Sequence, residues 1–325
     1  MTPRRQPGPS PLPAGLPAGY DQLVDDSADL DRFCSSSDWL APAAATWGGS
    51  GTVVVEDRGV ALALGRTPLR RGAELWCGLD PVWGFACPVV GRDTDAAAAL
   101  VARCLAGDAR WALTMLTGLV AGSARERSLV AALDDAHVLR EGPSMTRRLA
   151  DLDGGLDAWF GRRSATFRRN LRRAERARRA AGVEVELVSG GGAEVVERCL
   201  AVEASSWKGR GGSGLRDAVL AGFYRRLAER LAPSGRLRSA FARHEGRDVA
   251  YILGAVRHCT YRGLQLSYDE RYAGLSLGNV LQFQQVTALA DEGVRTYDLG
   301  MDMPYKLHWS DRAFTTRTMV VRPRR

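Results

Sequence analysis

The chain has 325 residues, of which 45% are hydrophobic and 25% charged, and its net charge is +8. These proportions are ordinary for a soluble globular protein, and the length suits two domains. No apolar run approaches the roughly 20 residues of a membrane-spanning helix, and no continuous apolar core follows the N-terminal arginines as in a signal peptide. We therefore expect a cytoplasmic protein without a membrane span.

The positive charge favours anionic partners, but it does not distinguish nucleic acid, a membrane surface and a phosphorylated small molecule. The six cysteines are scattered, without a CxxC pair and without histidines at metal-ligand spacing. This pattern predicts free thiols in a reducing compartment and no metal site.

The first half of the chain indicates a mixed α/β domain. Residues 1–20 are rich in proline and glycine, which predicts a disordered tail. From residue 21 to about 150, strand-like and helical segments alternate. Asp57-Arg58-Gly59 lies between two apolar runs and predicts a β-hairpin. We find no catalytic motif in this half.

The second half, residues 151–325, begins with a predicted long helix from Leu156 to Ala181, whose apolar residues recur at helical spacing. Its other face is strongly basic, and Glu175 is the one acid between Arg162 and Arg179. The arginines are Arg162, Arg163, Arg168, Arg169, Arg172, Arg173, Arg176, Arg178 and Arg179. They form either a solvated face or an anion platform for a phosphate-rich substrate or tRNA. The exposed face lacks aromatic residues on which bases could stack.

A predicted ligand site follows in the stretch from Leu264 to Trp309. Leu264, Leu266 and Tyr268 alternate with polar residues, as in a strand. Residues 273–279 then form a glycine-containing turn that opens a helix, and residues 294–299 return as a strand. Such a turn can direct free backbone N–H groups at a phosphate.

Five short motifs occur in order through this half. They are Arg168–Arg173; Glu203 with Trp207 and Lys208; Tyr268 and Asp269 with Tyr272; Ser276 with Gly278; and Asp298 to Gly300 followed by Tyr305, Lys306 and Trp309. Together with the order of the elements, these motifs resemble the GNAT acyltransferase superfamily. More narrowly, they are similar to the branch that includes CelD-type acetyltransferase domains and Fem-type peptidyltransferases.

The resemblance implies an α/β fold with a mixed sheet and two GNAT-like halves, the first of them degenerate. It also implies an N-acyltransferase that uses acetyl-CoA or another acyl-CoA and acts on an amine of a small molecule or a cell-envelope precursor. Two alternatives stay open: a Fem-like transferase that uses aminoacyl-tRNA, and a non-catalytic GNAT pair that serves as a binding module. The family's pyrophosphate turn carries more glycines than this chain, and that departure keeps the tRNA alternative open.

The resemblance also assigns binding residues. The backbone N–H that stabilises the oxyanion would lie near Leu266, Ser267 and Tyr268. The pyrophosphate turn would comprise Gly274, Ser276, Leu277, Gly278 and Asn279. The substrate-binding candidates are Trp207, Lys208, Tyr272, Tyr305 and Lys306. Lys208 and Lys306 are the two lysines among 45 basic residues.

Acyl transfer to an amine needs a group that takes a proton from the nucleophile. The predicted catalytic carboxylates are Glu203, Asp269 and Asp298, with Asp302 as a further candidate for the base. Each has a structural alternative. Glu203 could be a helix-surface carboxylate, Asp269 a cap for the turn that follows it, and Asp298 a member of a buried ion pair.

Overall fold

The computed structural model describes residues 15–206 and 214–324, which divide into two compact units. One unit comprises residues 15–146 and 314–324, and the other comprises residues 147–313. The predicted tail lies mostly in residues 1–14, outside the described ranges. Across 15–206 and 214–324, no helix is both long enough and apolar enough to cross a bilayer.

The unit of residues 15–146 and 314–324 is a mixed α/β structure with a core of its own. Its helices are α1 Tyr20–Asp26, α2 Ser37–Trp47, α3 Thr94–Ala106 and α4 Ala124–Leu133. Its strands are β1 Gly51–Asp57, β2 Val60–Pro68, β3 Glu74–Gly78, β4 Val89–Gly91, β5 Trp111–Val120, the first part of β6 His137–Asp151, and most of β12 Arg312–Pro323. β1 and β2 form a hairpin in which Asp57 pairs with Val60, which confirms the predicted turn at Arg58 and Gly59.

The chain's last strand differs from its sequence-based assignment. The predicted second domain runs to residue 325. In the structure β12 pairs antiparallel with β5, with Thr316 opposite Val120. Residues from Phe314 onward therefore belong to the same unit as residues 15–146. Strand pairing over this separation has no local sequence signal.

The unit of residues 147–313 contains five helices and a mixed sheet. The helices are α5 Gly155–Gly161, α6 Ala165–Ala180, α7 Ala193–Glu203, α8 Ala218–Leu231 and α9 Leu277–Asp291. The strands are β7 Glu184–Ser189, β8 Leu237–His244, β9 Arg247–Arg257, β10 Thr260–Tyr268, β11 Thr296–Met301 and the end of β6. Short 3₁₀ helices occupy Gly214–Arg216, Ala232–Ser234, Glu270–Leu275 and Pro304–His308.

The prediction of one helix from Leu156 to Ala181 is wrong, since the structure has two helices there. α5 ends at Gly161, and α6 begins after Ser164, whose side chain accepts a hydrogen bond from the Phe167 N–H at 3.2 Å. The apolar spacing continues across the break because both helices contribute to one core. Periodicity alone therefore could not locate the break.

Replacing Ser164 with alanine should lower the free energy of unfolding by about 1 kcal/mol, because the first turn of α6 loses its side-chain acceptor. Urea denaturation followed by circular dichroism would measure the change. Ser164→Asp is the matched control, since a carboxylate accepts the same bond and should retain the stability. Equal losses in both variants would argue against the capping role.

The sheet of this unit has helices on both faces. Tyr251 on β9 points to the α7 side, where its hydroxyl donates to Glu203, whereas its neighbour Ile252 lies in the core beneath α9. Successive side chains of a strand point to opposite faces. α5 and α6 contact α9 on one face, and α7 contacts α8 on the other.

β10 and β11 are parallel neighbours that separate after three residue pairs. Pairing runs from Thr260 opposite Thr296 to Arg262 opposite Asp298. Immediately beyond, β10 carries an extra residue, Leu264, relative to β9, and β11 carries an extra residue, Leu299, relative to β6. A bulge bends the strand that contains it. Two bulges at the same level therefore explain why the strands diverge and leave a gap in the sheet.

Candidate functional site

The gap between β10 and β11 contains a cavity of about 60 Å³, which we call the inner cavity. Its lining includes both bulged leucines and the side chains of Gln265, Gln282 and Lys306. No acidic residue is among the described residues that line it. Gln265 donates to the Tyr224 hydroxyl at 3.0 Å, and Lys306 Nζ donates to the Met301 carbonyl at 2.8 Å.

A larger cavity of about 390 Å³, the outer cavity, lies between α6 and the N-terminus of α9. Arg173, Asn170 and His308 supply polar groups to it, and none of its described lining residues is acidic. Tyr305 lines both cavities. The outer cavity therefore combines a helix N-terminus with a guanidinium group, which favours an anionic ligand.

The N-terminus of α9 has unusual backbone geometry. Ser276, its N-cap residue, has φ of +53° and makes no side-chain capping bond. The other non-glycine residues with positive φ in the described ranges, Arg58, Arg71, Glu245 and His258, lie in connections between strands. A left-handed non-glycine residue costs energy and often marks a functional position. Here it leaves the first N–H groups of α9 without a side-chain cap, beside the outer cavity.

Arg163 holds the loop that carries Tyr305 and Lys306. Its side chain is buried, forms an ion pair with Asp311 and donates to the Ser310 carbonyl at 2.9 Å. Its guanidinium also lies 5.2 Å from the centre of the Trp159 ring. Burial lowers the pKa of Arg163, while Asp311 opposes that effect. These contacts fix the end of the loop against α5.

The predicted cofactor-binding residues divide between the cavities and the core. Leu266 lines the inner cavity, and Gly274, Ser276 and Asn279 line the outer one. The others do not line either: Ser267 is buried, Tyr268 packs against the core, the Leu277 side chain lies in the core, and Gly278 is 3.2 Å from Leu266 at its Cβ position. Gly278 thus permits close approach of α9 to β10.

Asp298 is part of a buried ion cluster. Its carboxylate accepts from Arg262 at 3.0 Å, from Arg147, and from the Gly300 N–H at 2.8 Å. Arg262 and Asp298 are also the last paired residues before the strands separate. These three donors occupy both carboxylate oxygens, so the geometry favours the structural alternative for Asp298.

Asp269 and Asp302 are also paired with arginines. The Asp269 side chain caps the 3₁₀ helix Glu270–Leu275 through the Arg271 N–H and forms an ion pair with the Arg271 side chain at 2.6 Å. Asp302 pairs with Arg148 at 2.8 Å, and that hydrogen bond lowers the pKa of Asp302. Both geometries correspond to structural roles.

Glu203 differs from the other predicted bases. It is fully buried at the end of α7, and its partners in the described ranges are neutral. The Tyr251 hydroxyl donates to it at 2.7 Å, and the Leu215 N–H donates at 3.4 Å. Burial raises the pKa of Tyr251 well above its usual value, and the nearby Cys199 and Glu203 add to that shift. A buried carboxylate whose partners among residues 15–206 and 214–324 are all neutral is costly, and such groups are frequent at functional sites.

Among the predicted substrate-binding residues, Tyr305 and Lys306 lie at the cavities, whereas the Tyr272 hydroxyl contacts His244 Nδ1 at 2.9 Å. Trp207 and Lys208 lie outside the described residues.

The basic face of α5 and α6 is largely tied to its own unit. Six of the nine arginines contact acids, carbonyls or a phenylalanine ring there: Arg162, Arg163, Arg168, Arg172, Arg178 and Arg179. Arg173 instead opens onto the outer cavity. The face is therefore in large part structural, with one arginine at the cavity.

Sequence reasoning missed Gln282, although a signal exists. Gln282 and Gln285 interrupt a run of buried apolar residues on α9, and both side chains are at most 3% exposed. Glutamine is rarely buried without a reason. The helix is covered by α6 on one side and the sheet on the other, so its pattern does not separate an inner from an outer face.

One family model matches part of the chain. Residues 165–307 match the acetyltransferase (GNAT) domain. The match spans 143 of the 325 residues, all of them in the unit of residues 147–313. The match includes every described residue that lines the inner cavity. The predicted GNAT fold and acyltransferase class are thereby confirmed, while the predicted degenerate GNAT copy in the first half stays a prediction. No curated protein sequence is significantly similar to the chain.

Solved structures share the fold over most of the chain. FemX superposes with a TM-score of 0.68 at 11% identity, over 92% of this chain and 94% of that one. A conserved protein of unknown function from Bacteroides thetaiotaomicron gives 0.63 at 14% identity, over 94% and 97%. L-PGS from Bacillus licheniformis gives 0.57 at 12% identity, over 96% and 94%. At such identities the likeness concerns the fold alone.

Proposed function

We propose that the protein is an N-acyltransferase that takes an acyl group from acyl-CoA and transfers it to an amine of a small molecule or a cell-envelope precursor. The observation that carries this proposal is the pair of cavities around the point where β10 and β11 separate. An acyl thioester would supply a carbonyl carbon that the amine attacks, with cleavage of the C–S bond and release of the thiol.

The cavities suit such a donor. The outer cavity offers Arg173 and the uncapped N-terminus of α9 to phosphate groups. The inner cavity is small, and its lining combines leucines with polar side chains such as Gln282, which suits the acyl end with its methyl group and carbonyl. Beyond Arg262, the edge of β10 that faces β11 has no strand partner in the register, so its backbone groups are available to a ligand.

Glu203 is our candidate for the group that receives the amine proton. It lies on the α7 face of the sheet with Tyr251, whose partner in the β9–β10 register is Ser267. Gln265, two residues earlier on β10, lines the inner cavity. We therefore place the acceptor amine on the α7 face and the acyl donor in the two cavities.

Calorimetric titration of the full-length protein with acetyl-CoA tests the donor, and amine-dependent release of free thiol over a panel of amines tests the transfer. We expect both signals. Absence of binding and of thiol release would contradict the proposal. Binding of tRNA with a steep salt dependence, without acetyl-CoA binding, would instead favour the aminoacyl-tRNA alternative.

Arg173→Glu should raise the Kd for CoA at least tenfold, which corresponds to about 1.4 kcal/mol, because it reverses a charge at the outer cavity. Arg169→Glu is the matched control. It makes the same charge change one helical turn away, at an exposed position that does not line the cavity, so the Kd should rise clearly less than in Arg173→Glu. Equal effects of the two variants would contradict a specific role for Arg173.

A further inference from the structure

The inner cavity contains a buried amide whose hydrogen-bonding capacity is unused. Gln282 is 3% exposed and lines the cavity, and its Nε2 has no hydrogen-bond partner among the described residues. Leaving a buried N–H donor unpaired costs roughly 1–3 kcal/mol. The other side-chain nitrogens at this cavity, those of Gln265 and Lys306, donate to the Tyr224 hydroxyl and the Met301 carbonyl.

Gln282 is positioned by the same contacts that open the sheet. It follows Gly278 by one helical turn, so both residues face β10, and Gly278 allows α9 to lie close to Leu266. The amide therefore projects toward the gap created by the two bulges. A ligand acceptor that enters this gap could receive a hydrogen bond from Gln282 Nε2.

The size of the cavity limits which group reaches that donor. A volume of about 60 Å³ corresponds to about four to six water-sized groups, at roughly 10–15 Å³ each. A short acyl thioester, with its methyl group, carbonyl and sulfur, has this size. From these observations we infer that Gln282 donates from Nε2 to the carbonyl oxygen of a short acyl group bound in the inner cavity. This assignment rests on the proposed function.

The chain provides a matched control on the same helix. Gln285 is 2% exposed, and its Oε1 also has no hydrogen-bond partner among the described residues, but it does not line the inner cavity. Gln282→Met and Gln285→Met each remove a buried amide while nearly preserving the shape of the side chain. Both should raise the midpoint of thermal unfolding, since each removes an unsatisfied polar group.

The decisive measurement compares Kd values for acetyl-CoA and for CoA, which lacks the acyl carbonyl. Gln282→Met should weaken acetyl-CoA binding about five- to tenfold and leave CoA binding unchanged. Its kcat/KM should fall about 100-fold, as when an oxyanion donor is removed. Gln285→Met should change none of these values. Gln282→Asn is a second variant for the case in which Gln282→Met does not fold. Its shorter side chain withdraws the amide from the cavity, so it should show the same losses of acetyl-CoA affinity and of kcat/KM.

Two results would overturn the assignment. Equal weakening of CoA and acetyl-CoA would place the contact of Gln282 elsewhere on the donor, and unchanged acetyl-CoA binding and turnover would exclude the contact. Both require a wild-type protein that binds acetyl-CoA. A wild-type protein that binds neither compound would overturn the proposed function itself, and this assignment with it.

Discussion

Replacing Asp298 with asparagine is expected to lower the free energy of unfolding by about 3–5 kcal/mol. This is the range for removing the charge of one partner of a buried ion pair. The carboxylate lies between Arg147 and Arg262, which are 0% and 3% exposed. Asparagine keeps the shape but removes the charge, so two buried guanidinium groups lose their counter-ion. Urea unfolding monitored by tryptophan fluorescence would give the difference.

Two further variants make this test specific. Asp302→Asn removes the same charge from the exposed pair with Arg148, and such pairs contribute little, so stability should be nearly unchanged. Adding Arg147→Met to Asp298→Asn should restore part of the loss, because removing both charges is less costly than removing one. If Asp298→Asn proved as stable as the wild type, the cluster would not hold the strands together.

Replacing Glu203 with glutamine is expected to reduce kcat by about 10²–10⁴, the range for loss of a general base, while the affinity for CoA stays the same. The amide oxygen can accept from the Leu215 N–H, and the amide NH2 group can donate to the Tyr251 hydroxyl oxygen, so the fold should persist. Steady-state kinetics with the best amine, together with calorimetry on CoA, would separate catalysis from binding.

Asp269→Asn is the matched carboxylate-to-amide control for Glu203. Asparagine caps a helix about as well as aspartate, and the Arg271 side chain that pairs with Asp269 is mostly exposed, so activity and stability should change little. Wild-type kcat in Glu203→Gln would exclude Glu203 as the base. A large loss in Asp269→Asn instead would transfer that role to Asp269.

The sequence was most informative where the signal is local. The turn at Arg58 and Gly59 follows from a glycine, which adopts positive φ readily, between two apolar runs. The strand with Leu264 and Leu266 and the helix after it follow from a change in the hydrophobic period from two to 3.6 residues. Contacts between residues that are far apart in the chain could not be predicted from the sequence. Arg147 and Asp298 are 151 residues apart, and no local pattern brings them together.

Arg163 and Gln282 show a second reason for incomplete prediction. Arg163 belongs to the predicted basic helix face, yet its side chain is buried. It lies at the break between α5 and α6, where it forms an ion pair with Asp311. Gln282 was assigned to no site, because α9 is buried on more than one side and its polar residues carry no directional pattern. Both positions depend on neighbours that local spacing does not specify.

The bulges at Leu264 and Leu299 have a consequence for how this site can change in evolution. Each bulge is one extra residue between two cross-strand pairs. The gap therefore depends on the number of residues in each strand and only weakly on their identity. Many amino-acid substitutions at these two positions should therefore leave the gap between β10 and β11 in place. Loss of a single codon in either strand would restore regular pairing and close the sheet, so selection at these two places should act against deletions more than against replacements.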